Sequence, residues 1–314
     1  MKGSMGYFSA LVVVFIGVTA MSGCITVNLG GEDTGQAPTE VVDVELSPQA
    51  TIQPPQHVLT EKRLLNADYL SPLLQTPITL VDGKYSGVID GTELNVTLQP
   101  GIQYGDLNAD GIEDAAFLLA ENSGGTGVFV SLLVVYSQQE QYAQAAGVLI
   151  DDRPVIKRLL IEDGVVKLEG LVHGPNDPMV NPTTSISAEY SLMGGRLVQT
   201  RLSSTFAGGG EHIIYIDSPA DGELVSGSVS VTGSMPIGPF ENNLSLLISD
   251  PMSGQLLHQG FMVQAEDMGA TATFDNTVAL PAVPAGTRIL LVLSELNMAD
   301  GRPMAVDSVQ LIVE

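Results

Sequence analysis

Short apolar runs separated by glycine-bearing turns fill the chain from its middle to its end, and they leave little room for anything but strands. "GKYSGVI", "ELNVTL", "AAFLLA", "GVFVSLLVVY", "VIKRLLIEDGVVKLEGLV" and "SISAEYSLMGGRLVQTRL" follow one another, with Asp163-Gly164 and Gly194-Gly195 at hairpin positions. The 34 Gly and 18 Pro of the 314 residues suit many turns between short strands. A short helix is expected only in "LTEKRLLNADYLS", from Leu59 to Ser71. Residues 59–205 therefore read as one antiparallel β domain. After the flexible "AGGG" of Ala207 to Gly210, a second β domain is expected over residues 211–314. Leu244, Leu246 and Ile248 alternate strictly, as do Val309, Leu311 and Val313, so those strands bury one face. Recurrent strands over about 100 residues give the size of an immunoglobulin-like sandwich. The fold class is all-β.

Charge narrows the partners. With 12 Lys plus Arg against 36 Asp plus Glu, the formal net charge is -24. Nucleic-acid phosphate and anionic lipid headgroups are repelled by such a chain, so no nucleic-acid partner is expected. Cations and basic partners are not disfavoured.

At the N-terminus Lys2 precedes an apolar run from Tyr7 to Ala20, which is shorter than the roughly 20 residues a membrane span needs. "MSGC", Met21 to Cys24, closes it, with the small residues Ser22 and Gly23 ahead of the single cysteine. The segment resembles a bacterial lipoprotein signal, although Met21 stands where leucine is commoner. The resemblance implies removal of residues 1–23, lipidation of the Cys24 thiol, and acylation (palmitate-class chains) of the new amine. Several acyl chains hold a protein firmly on a bilayer, whereas one binds marginally. The expected location is a cell membrane or outer envelope, on its extracytoplasmic side. With Cys24 consumed, no intrachain disulfide can form.

Residues 24–58 change character. From Ile25 to Gln56 there is no Lys, Arg or aromatic residue, and Glu32, Asp33, Glu40, Asp43 and Glu45 are scattered among Gly, Thr, Gln and Pro. No amphipathic period runs through this stretch, so it reads as an acidic flexible tether with a reach of about 30 Å.

"GDLNADGIEDAAF", Gly105 to Phe117, carries the one recognisable ligand pattern. Counting from Asp106, side-chain oxygens fall at Asp106, Asn108, Asp110 and Asp114, Gly111 supplies a sharp turn, and the Ile112 carbonyl is the remaining candidate. Hard Ca²⁺ takes six to eight oxygens, and alternate residues around a glycine turn supply several. Phe117 stands where an EF-hand has its bidentate Glu, which argues against a helix-loop-helix sensor. The stretch resembles the shorter calcium loops of FG-GAP blades, but it occurs once, so no propeller follows. Asp, Asn and Gly also close metal-free β-turns through Asx hydrogen bonds. Three converging carboxylates repel without a cation, which favours structural Ca²⁺, bound at about 0.1–1 mM as in extracellular modules.

Other chemistry is sparse. "ENSGGTG", Glu121 to Gly127, lacks the Lys of a phosphate loop and reads as a hairpin loop. His57, His173, His212 and His258 are scattered without zinc spacing. "HGPNDPMVNPTT", His173 to Thr184, is a polar Pro-rich loop that reads as a surface connection, with ligand contact as its alternative. No nucleophile motif is present and no catalytic residue is assigned.

Two further resemblances cover the body of the chain. "YGDLNADGIEDAAFLLAENSGGTGVF", "DDRPVIKRLLIEDG" and "HGPNDPM" are similar to a module of uncharacterised bacterial envelope lipoproteins, without an implied activity. Val180 and Asn181 stand where relatives carry cysteines, so no redox role is expected there. Ser218-Pro219 with Asp221-Gly222, Val231 to Gly233, Phe240-Glu241, Asp250 with Gly254, Ser294-Glu295 and Asp300-Gly301 resemble the Gmad2 family, an immunoglobulin-like domain of bacterial spore-germination proteins. That resemblance implies an extracytoplasmic interaction module with no catalytic set. The expectation is a non-catalytic, membrane-anchored envelope lipoprotein binding a protein or glycan. The alternative is an envelope hydrolase using carboxylates of the middle domain.

Overall fold

Glycine-bearing pairs set the strand register, because a two-residue turn between right-twisted strands needs positive φ at both positions. Asp163 and Gly164, at φ 53° and 74°, join strand Val155–Glu162 to Val165–Val172 with Glu162 opposite Val165. Gly194 and Gly195, at 56° and 75°, join Thr184–Met193 to Arg196–Thr205 with Met193 opposite Arg196. The computed structural model describes residues 59–314 except 139, 140, 146, 176, 208 and 268. The signal with Cys24, the tether and His57 lie outside the described residues.

The chain is nearly all β. One turn of helix, Glu61–Leu64, is capped by the Thr60 hydroxyl, which accepts from the Arg63 amide at 3.3 Å. Among the described residues no helix is long and apolar enough to cross a membrane. Strands form sheets of seven, ten and four, with a small hairpin of Asp68–Leu70 and Pro77–Thr79.

In the seven-stranded sheet, Asp114–Asn122 and Phe129–Gln138 are central and buried on both faces. Ala116, Leu118, Leu132 and Val134 face one core. Phe117, Leu119, Leu133 and Val135 face another, where Leu64, Tyr69 and Ile78 cover them and Tyr69 meets Phe117 edge-on at 5.5 Å. This two-sided burial is why "AAFLLA" and "SLLVVY" are continuous apolar runs rather than alternating ones.

The ten-stranded sheet runs through both halves of the chain. Its path is Val155–Glu162, Val165–Val172, Thr184–Met193, Arg196–Thr205, Pro303–Val313, Arg288–Leu296, Asn243–Asp250, Gly254–Met262. Leu202 opposite Val306 joins the middle strands to the C-terminal ones. The segment read as a flexible spacer closes a reversal, since Thr205 pairs with Glu211 and Ser204 with His212. The four-stranded sheet, Tyr215–Ser218, Ser228–Met235, Ala272–Ala279 and Gln264–Ala265, completes the C-terminal sandwich.

Strand Arg288–Leu296 shows how the layers stack. Ile289, Leu291 and Leu293 enter the C-terminal core with Val231, Met235 and Phe274. Leu290 and Val292 point the other way, into the core that the ten-stranded sheet shares with the seven-stranded one. Period-two alternation puts these two sets on opposite faces. The ten-stranded sheet is thus a middle layer. All described residues fall within one compact unit.

Candidate functional site

The acidic loop leads from strand Gln103–Gly105 into Asp114–Asn122, and Ala109 and Gly111 at φ 60° and 81° turn it sharply. Asp106 accepts from the Asp110 and Gly111 amides at 3.2 and 2.8 Å. Asn108 accepts from the Asp110 amide at 3.1 Å, while its own amide group donates to the Ser137 carbonyl at 2.8 Å. Asp110 accepts from the Ile112 amide at 2.8 Å and from the Ser137 hydroxyl. Asp114, fully buried, accepts from the Leu107 and Ser137 amides, both at 2.8 Å. Ile112 is exposed.

Environment separates these carboxyls. Burial raises the Asp114 pKa, the two amides oppose it, and the charges of Asp110 and Asp106 add to the rise. Asp110 also feels burial, but the Ser137 hydroxyl, the Ile112 amide and the Asn108 amide outweigh it and hold that carboxyl below its usual range. The donor set is hard oxygen, the chemistry Ca²⁺ takes. Its oxygens are nevertheless already occupied by amides and hydroxyls, as in a set of Asx turns. Among the described residues no group of three or more His, Cys, Asp or Glu is assembled to hold a metal.

A second site lies at the seam between the middle strands and the C-terminal ones. A cavity of about 350 Å³ is walled by Ile150, Val172, Ile186, Leu202 and Phe206, with His173, Thr184 and Arg302 among its polar lining. Asp151, only 3% exposed, accepts from the His173 backbone N–H at 2.5 Å and is bonded to the same residue's ring Nδ1 at 2.8 Å. Its other oxygen receives Arg302 at 3.3 Å. The His173 side chain is 10% exposed and Thr184 3%. Among the described residues, His173 Nε2 and Thr184 Oγ1 have no hydrogen-bond partner.

The same seam holds a second acid–histidine pair. His212 Nδ1 lies 2.9 Å from buried Glu295, and its ring meets Phe206 edge-on at 5.2 Å. Nearby, Asp307 accepts from the Ile216 amide at 2.9 Å and from Arg201 at 3.4 Å. Burial nonetheless pushes the Asp307 carboxyl above its usual range.

The remaining candidates resolve into local roles. In "ENSGGTG" the Asn122 amide group donates to the Gly125 and Gly127 carbonyls and ties the hairpin loop. In "HGPNDPMVNPTT", Asp177 accepts from the Thr183 hydroxyl and from the Gly174 and Thr183 amides, which lower its pKa. That loop is consequently pinned, with its first residue, His173, at the cavity. His258 bonds Ser245 on a neighbouring strand at 2.9 Å. Asp151 and Arg302 escaped sequence reading because Asp151 is 22 residues from His173 and Arg302 is 151 from Asp151. The usable signal was the polar, Pro-rich composition of the loop that begins at His173.

Comparison with known families matches residues 213–302 to Gmad2, described as the immunoglobulin-like domain of bacterial spore germination. Strand Pro303–Val313, which joins the two halves of the large sheet, lies beyond the match. Neither the curated proteins nor the solved structures gave a match.

Proposed function

We infer that the chain is a membrane-anchored, extracytoplasmic envelope lipoprotein acting as a non-catalytic binding or structural module. The Gmad2 domain is a non-catalytic, spore-germination-associated type, and its match at residues 213–302 is the observation that carries this reading. The large sheet adds to it, because a partner held by the C-terminal sandwich would be coupled to the middle strands through Leu202 and Val306. Two of the middle domain's buried acids are engaged within the fold. Glu121 is held by the Ser71 hydroxyl and the Leu73 amide, and Asp114 by two amides.

Anchoring runs through Cys24, and the partner class is an envelope protein or glycan. Mass spectrometry of the mature product should find an acylated Cys24 at its N-terminus. A product beginning elsewhere, or free of fatty acid, defeats the anchor.

Structural Ca²⁺ belongs to the same reading, held by Asp106, Asn108, Asp110, Asp114 and the Ile112 carbonyl. Such an ion would relieve the repulsion that Asp106 and Asp110 exert on Asp114. At 10 mM Ca²⁺ and a Kd of about 0.1–1 mM, linkage gives roughly 1.4–2.7 kcal/mol of stabilisation. Melting the protein in calcium against chelator should show it as a rise of about 3 °C or more. No rise at that concentration removes the ion from the account.

A further inference from the structure

We propose that the open edge Gly254–Met262 of the ten-stranded sheet, with the groove beside it, takes up an extended segment of another protein that carries alternate apolar side chains and Lys or Arg among the rest. Such docking deepens the binding-module reading and rests on it, though not on the anchor at Cys24. The large sheet ends in two edge strands, Val155–Glu162 and Gly254–Met262, and each has a bulge in its pairing. An unpaired edge is a template for another strand, and charged side chains are a common way of closing it. Val155–Glu162 is closed in that way, by Lys157, Arg158 and Glu162. Gly254–Met262 has no Lys, Arg, Asp or Glu. Among the described residues it pairs only with Asn243–Asp250.

The ladder shows which backbone groups an added strand would meet. The Val263 amide donates to the Asn242 carbonyl, so in the antiparallel alternation Phe261, Gln259 and Leu257 turn their backbone groups toward the neighbouring strand. His258, Gly260 and Met262 turn theirs outward, and the Asn276 side chain takes the Met262 carbonyl at 2.6 Å. His258 and Gly260 also line a groove of about 400 Å³, with Phe240, Leu296 and Met298, all exposed, among its other residues. Exposed apolar side chains beside a free edge give an added strand something to bury, while its backbone pairs with the edge. Charge selects the partner. Residues 211–314 contain no Lys, and their cations are Arg288 and Arg302. Arg288 donates to Gln310, and Arg302 is held by Asp151 and Asp300. Glu241 follows Phe240, and the Gly238 amide bonds the Ala270 carbonyl at 2.7 Å, at the turn that carries Glu266 and Asp267. These acids are exposed and have no ion pair among the described residues. An apolar centre with acids near it fits a cationic segment and disfavours a second copy of a chain whose net charge is -24.

The test pans a phage-displayed library of random dodecapeptides against the full chain and measures the enriched peptides, once synthesised, by calorimetry. Enriched sequences should alternate apolar residues with others and carry net positive charge. Methylating the backbone nitrogens on a bound peptide's pairing side should weaken it about tenfold or more, because hydrogen bonds to the edge are lost. Hydrogen exchange should show new protection in Gly254–Met262 when the peptide binds. Gly260→Lys puts a charged side chain on the edge, where its Cβ would meet the end of the Asn243 side chain at 2.9 Å, and it should abolish binding. Met298→Lys, at an exposed position, should weaken binding about tenfold and decides the matter if circular dichroism shows that Gly260→Lys does not fold. Lys157→Gln, at the other edge, should change nothing. Peptides that bind the folded variants as well as the unaltered protein, or no saturable peptide at all, would overturn this surface while leaving the anchor and the broader binding role to their own tests. A dimer in sedimentation that Gly260→Lys or Met298→Lys dissolves would make a second copy the occupant and overturn the proposed partner.

Discussion

Leu290→Ala tests whether the two halves of the protein fold as one. Leu290 is 2% exposed and sits in strand Arg288–Leu296, opposite Ser249 and Gln310 of the C-terminal sandwich. Its side chain, however, packs in the core with Val166, Leu168 and Leu132 of the middle strands. Truncating a buried leucine removes transfer energy and leaves a cavity, together about 3 kcal/mol. For a body of this size that lowers Tm by about 6–12 °C. Differential scanning calorimetry should show one transition, shifted as a whole. Leu291→Ala, whose side chain enters the opposite core, should move the same transition by a similar amount. Hydrogen exchange should report lost protection in Val165–Val172 and in Arg288–Leu296 together. Two resolved transitions, of which Leu290→Ala moves only one, would refute the idea that one sheet couples the halves.

Glu121 supplies a signed pH prediction: it is fully buried, and burial raises its pKa against the opposing Ser71 hydroxyl and Leu73 amide. A folded pKa above the unfolded one means this group's contribution is complete below the unfolded value, near 4.3, and is lost as pH rises through the folded value. Glu121→Gln, whose oxygen can still accept from the Leu73 amide while its NH2 turns to donate to the Ser71 oxygen, should therefore gain stability relative to wild type as pH rises through that window. Urea titrations at several pH values check it, and an unchanged pH slope contradicts it. Gly233→Ala should cost about 3 kcal/mol or prevent folding, because a Cβ there would lie 2.0 Å from the Tyr215 carbonyl oxygen and 2.3 Å from the Phe274 ring. A urea midpoint within error of wild type would contradict that contact.

Much of the strand pattern was legible because the physics is local. Asp163-Gly164 and Gly194-Gly195 declare hairpins through backbone demands that few other residues meet. Leu244, Leu246 and Ile248 declare one buried face and are buried in the C-terminal core. The Asp-rich loop was legible as a loop, and its oxygens do turn onto backbone amides. The shared sheet was not legible, since "AGGG" carries the composition of a linker while the pairing beyond it depends on a strand about a hundred residues away. One clue was present: Ile289 to Leu293 is an unbroken apolar run, the pattern of a strand covered on both faces. The seam cavity was less legible still, because Asp151, His173, Thr184 and Arg302 meet only through sheet topology.

The polar character of the seam follows from how the sheet is joined. The Leu202–Val306 pairing is supplemented by side chains reaching across it: Ser204 donates to the Met304 carbonyl at 2.7 Å and Ser308 to the Thr200 carbonyl at 2.8 Å. Buried Asp307 ties Arg201 of the middle strands to the Ile216 amide of the C-terminal sandwich, and Glu295 takes His212. Buried carboxylates are expensive unless every oxygen is paired, so these contacts specify one register between the halves rather than adding much net stability. Asp151 follows the same rule, with its oxygens divided between His173 and Arg302. At that end of the seam, pairing among the described residues stops at His173 Nε2 and Thr184 Oγ1, both buried.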